Sequence, residues 1–315
     1  MIEGTAVASR PTPTAFAERV AQIRGRIDTR LAALVPITGD PSRAARHSLL
    51  APGKRLRAVM TVMAAEQCGG TEAEAIDAAC AVEMIHTASL VFDDLPAMDD
   101  AALRRGMATP HVVYGDDVAI LAGIGLLNGA FGAVSRSTNL TPLQKADIVR
   151  ILSDAVGWQG LVQGQALDLQ TDQTDVALDD IHYGKTGVLF VAATLTGAAA
   201  ANAQGDDAMT TAFTQYGRAL GHAYQAFDDI LDQVADDKVA GKSTGRDDGK
   251  QTAVLKSNNG RPCVESALSR AQAHLGEAKT ALSAANSTPA RNTPLADLAD
   301  HIGYYFDKTF SAAAG

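Results

Sequence analysis

Apolar residues recur at helical steps almost everywhere along this chain, and no stretch alternates strongly as a half-buried strand would. In "AEAIDAACAVEMIHTASLVF", Ile76, Ala79, Val82 and Ile85 fall at helical spacing, and Cys80 joins their face one turn after Ile76. A chain of that period must bury helix stripes against other helices. The expected fold is therefore all-α, a single-domain bundle of roughly ten or more helices. Breaks are expected at Gly69–Thr71, Ser135–Pro142, Thr171–Asp175, Gln204–Asp207, Lys256–Pro262 and Asn286–Pro294. Thr141, followed by Pro142 and by Gln144 three residues on, reads as a helix start. None of these breaks brings a shift in composition, so residues 15–315 read as one domain behind a flexible lead-in over residues 1–14.

Alanine dominates and aromatics make up only 5% of the residues, which suits helices more than sheets. A formal net charge of −9 argues against a general nucleic-acid binder but leaves room for local basic clusters. Cys68, Cys80 and Cys263 are widely spaced and match no metal-ligand pattern, so buried thiols in a reduced, cytoplasmic setting are expected. The N-terminus lacks the basic-then-apolar order of a signal peptide. The most apolar windows are Val118–Leu127 and Val188–Ala201. The first is too short to cross a bilayer and the second is interrupted by Thr194, Thr196 and Gly197. Both are expected to be helices buried in a soluble core, with no membrane span.

Acids gather in two places, each directly after apolar helical sequence. "VFDDLPAMDD" carries Asp93, Asp94, Asp99 and Asp100, and "YQAFDDILDQ" carries Asp228, Asp229 and Asp232. Asp228 and Asp232 are four apart, on one helix face about 6 Å apart along the axis, a spacing suited to sharing hard cations such as Mg²⁺. On a continuous helix Asp93 and Asp99 would lie about 240° apart and could not face one cation. Pro96 cannot sit inside a helix, so "LPAM" is expected to bulge out and return Asp99 to Asp93. A lone acid pair of this kind is more often a solvated helix face; two, each abutting an apolar helix, are harder to assign that way.

Basic residues stand near both clusters: Lys54, Arg55 and Arg57 in "PGKRLR", Arg104 and Arg105 in "LRRG", Lys185 in "YGKTG", and Lys242, Arg246 and Lys250 in "GKSTGRDDGK". Mg²⁺ together with Arg and Lys is the usual means of holding a diphosphate. A nucleotide P-loop at "GKT" or "GKS" would need a further glycine five residues before Gly184 or Gly241, where Asp179 and Asp236 stand.

The ordered set "GKRLR", "DDLPAMDD…LRRG", "GLVQGQALDL", "YGKTG" and "YQAFDDILD…GK", covering about Leu49 to Lys250, resembles the isoprenyl diphosphate synthases, or polyprenyl synthetases. The tail "YYFDKTFSAAA" is similar to carotenoid-pathway members. The resemblance implies an all-α bundle around a deep central cleft. It implies a reaction in which an allylic diphosphate ionises, the double bond of isopentenyl diphosphate attacks the cation, and a proton leaves to the released diphosphate. Asp93, Asp94 and Asp99 would bind Mg²⁺ from one wall and Asp228, Asp229 and Asp232 from the other, three ions in all, with Asp168 a further carboxylate near the metals. Arg104, Lys185 and Lys242 would hold the allylic diphosphate. Lys54, Arg57, His86 and Arg105 would hold isopentenyl diphosphate without a metal, and Thr186 and Gln225 would lie beside the developing cation. A homodimer is also implied. Ala58 stands where the family commonly has proline, and Arg246 where lysine is frequent.

In this family the residues just before the first acid cluster set product length. Ala88 lies five residues before Asp93, about 7.5 Å back along the helix, and Ser89 four before. Both are small, so a long pocket and a geranylgeranyl (twenty-carbon) product are expected, with farnesyl or longer products as alternatives. A class I terpene cyclase would share the acids but has no need of Lys54, Arg57 and Arg105. A regulatory subunit of a heteromeric synthase would usually have eroded acid clusters, and here both are intact.

Overall fold

The computed structural model describes residues 13–169, 181, 183–203, 205–234, 264–285 and 293–313. The helices are α1 (Pro13–Leu34), α2 (Asp40–Leu49), α3 (Leu56–Gln67), α4 (Glu72–Asp93), α5 (Pro110–Tyr114), α6 (Asp116–Arg136), α7 (Pro142–Val156), α8 (Leu161–Asp168), α9 (Val188–Ala200), α10 (Asp207–Val234), α11 (Val264–Ala285) and α12 (Pro294–Ala313). A π-helical turn, Tyr183–Gly187, runs straight into α9. The all-α expectation holds, with one small exception among the described residues. Strands β1 (Leu103–Arg104) and β2 (Met107–Ala108) form a two-residue antiparallel pair between α4 and α5.

Helix α4 is the axis of the bundle, with α3, α6 and α9 packed against it. Its start is fixed by a capping box: Thr71 Oγ1 accepts from the Glu74 N–H, and the Glu74 carboxylate accepts from the Thr71 N–H at 2.7 Å. Ala75, Ala78, Ala79, Ala81 and Ala88 are buried along it, and such small side chains let neighbouring helices come close. Cys80 is buried on the same helix, as expected, and Cys68 is half-buried at the end of α3; Cys263 lies outside the described residues. The start read at Thr141 is also found, with Gln144 closing the box on α7.

The two apolar windows behave differently. Val188–Ala200 forms α9, apolar all round and enclosed by α3, α7 and α10. The expectation of full burial needs correction for α6. Ile120, Leu121 and Ile124 are 41%, 53% and 53% exposed, because α2 and α4 cover only one side of the helix. By length and composition alone α4 and α6 are both apolar enough to cross a membrane; burial in the bundle accounts for α4.

Arg55, one of the three cations of "GKRLR", is built into this frame. It precedes α3 in a left-handed conformation (φ 51°) and is 3% exposed. Its Nε donates to Asp28 at 2.7 Å, Nη1 to the buried Glu83 of α4 at 3.2 Å, and Nη2 to the Ala51 carbonyl at 2.9 Å. One guanidinium thus ties α1, α3 and α4 together. Removing it would leave the buried Glu83 carboxyl without the donor it pairs with. Arg55→Met is expected to lower the unfolding free energy by ~3 kcal/mol in a denaturant titration. An unchanged midpoint would show that the network contributes nothing to stability.

Candidate active site

The first acid cluster begins where α4 ends. The Asp99 N–H donates to the Asp93 carbonyl at 2.9 Å, closing a loop that carries Pro96, Ala97 and Met98 out into solvent. The loop is pinned inside by Met98 N–H to Leu95 O (2.9 Å) and Ala101 N–H to Asp94 O (3.1 Å). The bulge expected from Pro96 is therefore present, and it brings Asp99 back beside Asp93. Asp94 is placed differently. Its carboxylate is buried and accepts from Arg104 Nε at 3.0 Å and Nη2 at 2.6 Å. Two residues expected at the metal and at the allylic diphosphate are thus engaged with each other.

Arg104 and Arg105 owe their positions to the β1–β2 hairpin. Its two-residue turn is Arg105–Gly106, with φ of 54° and 74°, the pattern of a type I′ turn. Arg104, on the strand, is directed to Asp94, while Arg105 sits at the tip with its guanidinium beside that of Arg55, both against Gly53.

Lys185 comes from the π-helical turn. That turn is wedged between α8 and α10: a Cβ on Gly164 would lie 2.3 Å from the Gly184 carbonyl carbon, and one on Gly221 2.7 Å from Gly187 Cα. Only glycine at these contacts lets the backbone come so near. The wedge directs Lys185 Nζ to Asp168 of α8 at 2.8 Å, with Asp93 and Asp99 each at 3.9 Å. It also directs the Thr186 hydroxyl to donate to Gln225 Oε1 of α10 at 2.9 Å. Burial pushes the Asp93 carboxyl up to about 6, with Lys185 opposing and Asp99 adding to the rise. Burial works against the charge on Lys185, but Asp93, Asp168 and Asp99 outweigh it and raise its pKa.

The second acid cluster lies on α10. The helix puts Asp228 and Asp232 on one face, and Asp228 is half-buried. The side chains of Asp229 and Asp232, and all of Lys242, Arg246 and Lys250, fall outside the described residues. Among the described residues no three acid, His or Cys side chains form a ready-made metal site; the three acids that gather, Asp93, Asp99 and Asp168, do so around Lys185. The donors available are nonetheless all carboxylate oxygens, which is the chemistry of Mg²⁺. That ion is usually bound by one or two carboxylates and completed by substrate phosphate and water.

A separate cationic site lies further back along α4. Arg57 Nη1 donates to His86 Nε2 at 3.3 Å, and its guanidinium carbon lies 4.4 Å from the Phe190 ring centroid. Arg57 Nε is buried and has no acceptor among the described residues. Burial, then Arg57 and Arg105, hold the His86 pKa well below the ordinary value, so the imidazole is neutral. Lys54 Nζ donates to the Tyr224 hydroxyl at 3.3 Å. Lys54, Arg57 and Arg105 all act electrostatically on Tyr224, whose ring lies 5.4 Å from Lys54 Nζ. Four residues here were not singled out from the sequence: Glu83, Phe190, Tyr224 and Tyr305. Tyr224 carries a signal in hindsight, since it stands four residues before Asp228 on the same helix face.

The chain is similar to known proteins both in sequence and in fold. The sequence pattern of the polyprenyl synthetase family matches residues 41–258. The chain is 45% identical over 210 residues to a chloroplastic geranylgeranyl pyrophosphate synthase of Arabidopsis thaliana, covering 65% of this chain and 60% of that one. It is 41% identical over 241 residues to the geranylgeranyl diphosphate synthase of Pantoea ananas, covering 74% and 78%. Among solved structures it is similar to a geranyltransferase of Helicobacter pylori complexed with magnesium and isoprenyl diphosphate. There the TM-score is 0.77 at 27% identity, covering 96% of this chain and 99% of that one. The chain belongs to the polyprenyl synthetase family.

The raised Asp93 pKa carries a sign for stability. Between about pH 4 and pH 6 the folded chain binds a proton that the unfolded chain releases, so metal-free protein loses stability as pH rises through that window. Asp93→Asn removes the loss. It is expected to stabilise metal-free protein by ~2 kcal/mol at about pH 8 and by little near pH 4. Thermal unfolding with a chelator at both pH values checks this, and equal effects at the two would contradict it.

Proposed function

We propose that the protein is a trans-prenyltransferase that joins an allylic diphosphate to isopentenyl diphosphate and makes geranylgeranyl diphosphate. The observation that carries this reading is the pairing of two unlike anion sites along α4: carboxylates around Lys185 at its end, and, two turns earlier, the cations Arg57 and Arg105 near His86 with Lys54 beside Tyr224. One substrate held through a metal and one held without it is what such a pair suits. A class I cyclase, which takes one diphosphate, has no use for the second.

In this reading Lys185, Arg104 and Lys242 hold the allylic diphosphate, and Asp94 orients Arg104 from below. Asp93, Asp99, Asp168, Asp228, Asp229 and Asp232 would hold three Mg²⁺, which would supply Lewis-acid neutralisation of the departing diphosphate. Lys54, Arg57 and Arg105 bind isopentenyl diphosphate through charge-assisted hydrogen bonds, with neutral His86 contributing a further polar contact. The Thr186–Gln225 pair places oxygen dipoles beside the carbon where positive charge develops. The carbon–oxygen bond of the allylic substrate breaks, a carbon–carbon bond forms to isopentenyl diphosphate, and the surplus proton leaves on the released diphosphate. A reduced, cytoplasmic setting suits the free thiols of Cys68 and Cys80.

Product length is read from the face of α4 that meets α6. Phe92 packs against Gly123 and Met84 against Gly129, so Ala88, one turn from each, faces α6 between them. A tyrosine there would fill that interval. Incubation with Mg²⁺, isopentenyl diphosphate and each allylic diphosphate, followed by chromatographic sizing, is expected to give twenty-carbon product from the native chain and fifteen-carbon product from Ala88→Tyr. No turnover of any allylic substrate would refute the activity; an unchanged product from the variant would refute this account of length.

The exposed apolar stripe Ile120, Leu121 and Ile124 of α6, with Val112 and Val113 of α5 beside it, supports a homodimer closed over this face. Light scattering is expected to give twice the chain mass, and Ile124→Asp to give the monomer. A native chain that runs as a monomer at micromolar concentration would rule this out.

A further inference from the structure

The last helix, α12, reaches the cationic site. Lys54 Nζ lies 4.2 Å from the Tyr305 ring centroid, 5.2 Å from that of Phe306 and 5.4 Å from that of Tyr224. All three are within cation–π range. Three rings from two helices therefore surround one ammonium, which also donates to the Tyr224 hydroxyl at 3.3 Å. The cage is itself held rigid. Phe306 is buried and stacked on Phe227 of α10, with centroids 3.5 Å apart and planes 8° from parallel. Leu295, Leu298 and Ile302 bury the inner face of α12, and the Tyr216 hydroxyl donates to the Leu295 carbonyl at 2.8 Å. Tyr305 is the exception: it is 43% exposed and meets the buried Phe306 only edge-on, with ring centroids 5.6 Å apart. Its ring is nonetheless the one nearest to Lys54.

A free lysine side chain carries about 2 kcal/mol of rotamer entropy, which an anion must overcome on binding it. A rigid aromatic cage removes that freedom beforehand and leaves ammonium donors available, since the hydroxyl of Tyr224 takes one of three. We propose that Tyr305 is a positioning residue: from the C-terminal helix it holds Lys54 ready for the diphosphate of isopentenyl diphosphate. The inference rests on the assignment of that substrate to Lys54, Arg57 and Arg105. Tyr305 touches no reacting atom, and its effect passes through Lys54.

The test is calorimetric titration of isopentenyl diphosphate into the full chain without metal, together with steady-state turnover. Tyr305→Leu is expected to weaken binding roughly two- to fivefold and to raise the KM for isopentenyl diphosphate to match. The kcat and the KM for the allylic substrate stay near native. Tyr305→Phe, which keeps the ring, is expected to restore binding to near the native value. In a Lys54→Met background Tyr305→Leu is expected to add nothing, because the cage has no cation left to hold. Native affinity in Tyr305→Leu, or the same loss with and without Lys54, would overturn the proposal. A native chain that binds isopentenyl diphosphate with the expected Tyr305 dependence but transfers no prenyl group would sink the prenyltransferase reading alone. A normal Kd in Tyr305→Leu with full turnover would sink the cage alone.

Discussion

One ammonium among three carboxylates is the interaction on which the site depends. Asp93 and Asp99 close a loop at the end of α4, Asp168 ends α8, and each is partly withdrawn from water. Carboxylates so placed repel one another and lose hydration, and both effects raise the pKa of Asp93. Lys185 offsets it, and can do so only because the π-helical turn is pressed between α8 and α10 at glycine contacts. The geometry of backbone packing thus decides an electrostatic balance. Cations and a diphosphate entering this site would take over the work of neutralising the acids and free Lys185 for phosphate oxygen.

The second dependence is on α4 itself. Its end carries the acids, its middle carries His86 and faces Arg57, and the side toward α6 carries Met84, Ala88 and Phe92. Two anion sites and the residues proposed to limit product length therefore share one rigid rod. The alanine-rich packing that lets α3, α6 and α9 crowd this helix fixes the distances between those functions. Arg55 adds to that rigidity from the side, and its partner Glu83 offsets the mutual repulsion of Arg55 and Arg105.

Much of this was legible in the sequence, for identifiable reasons. Helical period gave the class of fold, the Thr141–Pro142–Gln144 signal gave a helix start, and Pro96 gave the loop that returns Asp99 to Asp93. Those are local rules, settled within a few residues. Non-local partners were not legible. Nothing near Asp94 says that it accepts from Arg104, and nothing near Arg55 says that it is buried against Asp28 and Glu83. The β-hairpin that aims the two arginines escaped because a two-residue strand leaves no alternating pattern, although Gly106 after Arg105 marked a turn. The exposed side of α6 escaped because an apolar helix reads alike whether its cover is its own chain or another surface.

The hydrogen bond from the Asp99 N–H to the Asp93 carbonyl has a consequence for what the loop can tolerate. It is made by backbone atoms, so the span between the two carboxylates depends on the number of intervening residues. The side chains of Ala97 and Met98 project into solvent and make no contribution to that bond. Those two are therefore open to exchange, whereas Pro96 keeps the loop from continuing α4, and removal or insertion of a single residue would rotate one carboxylate away from the other. The loop keeps its length and its proline and leaves the rest of its exposed composition free, the reverse of the rule that governs the packed helix before it.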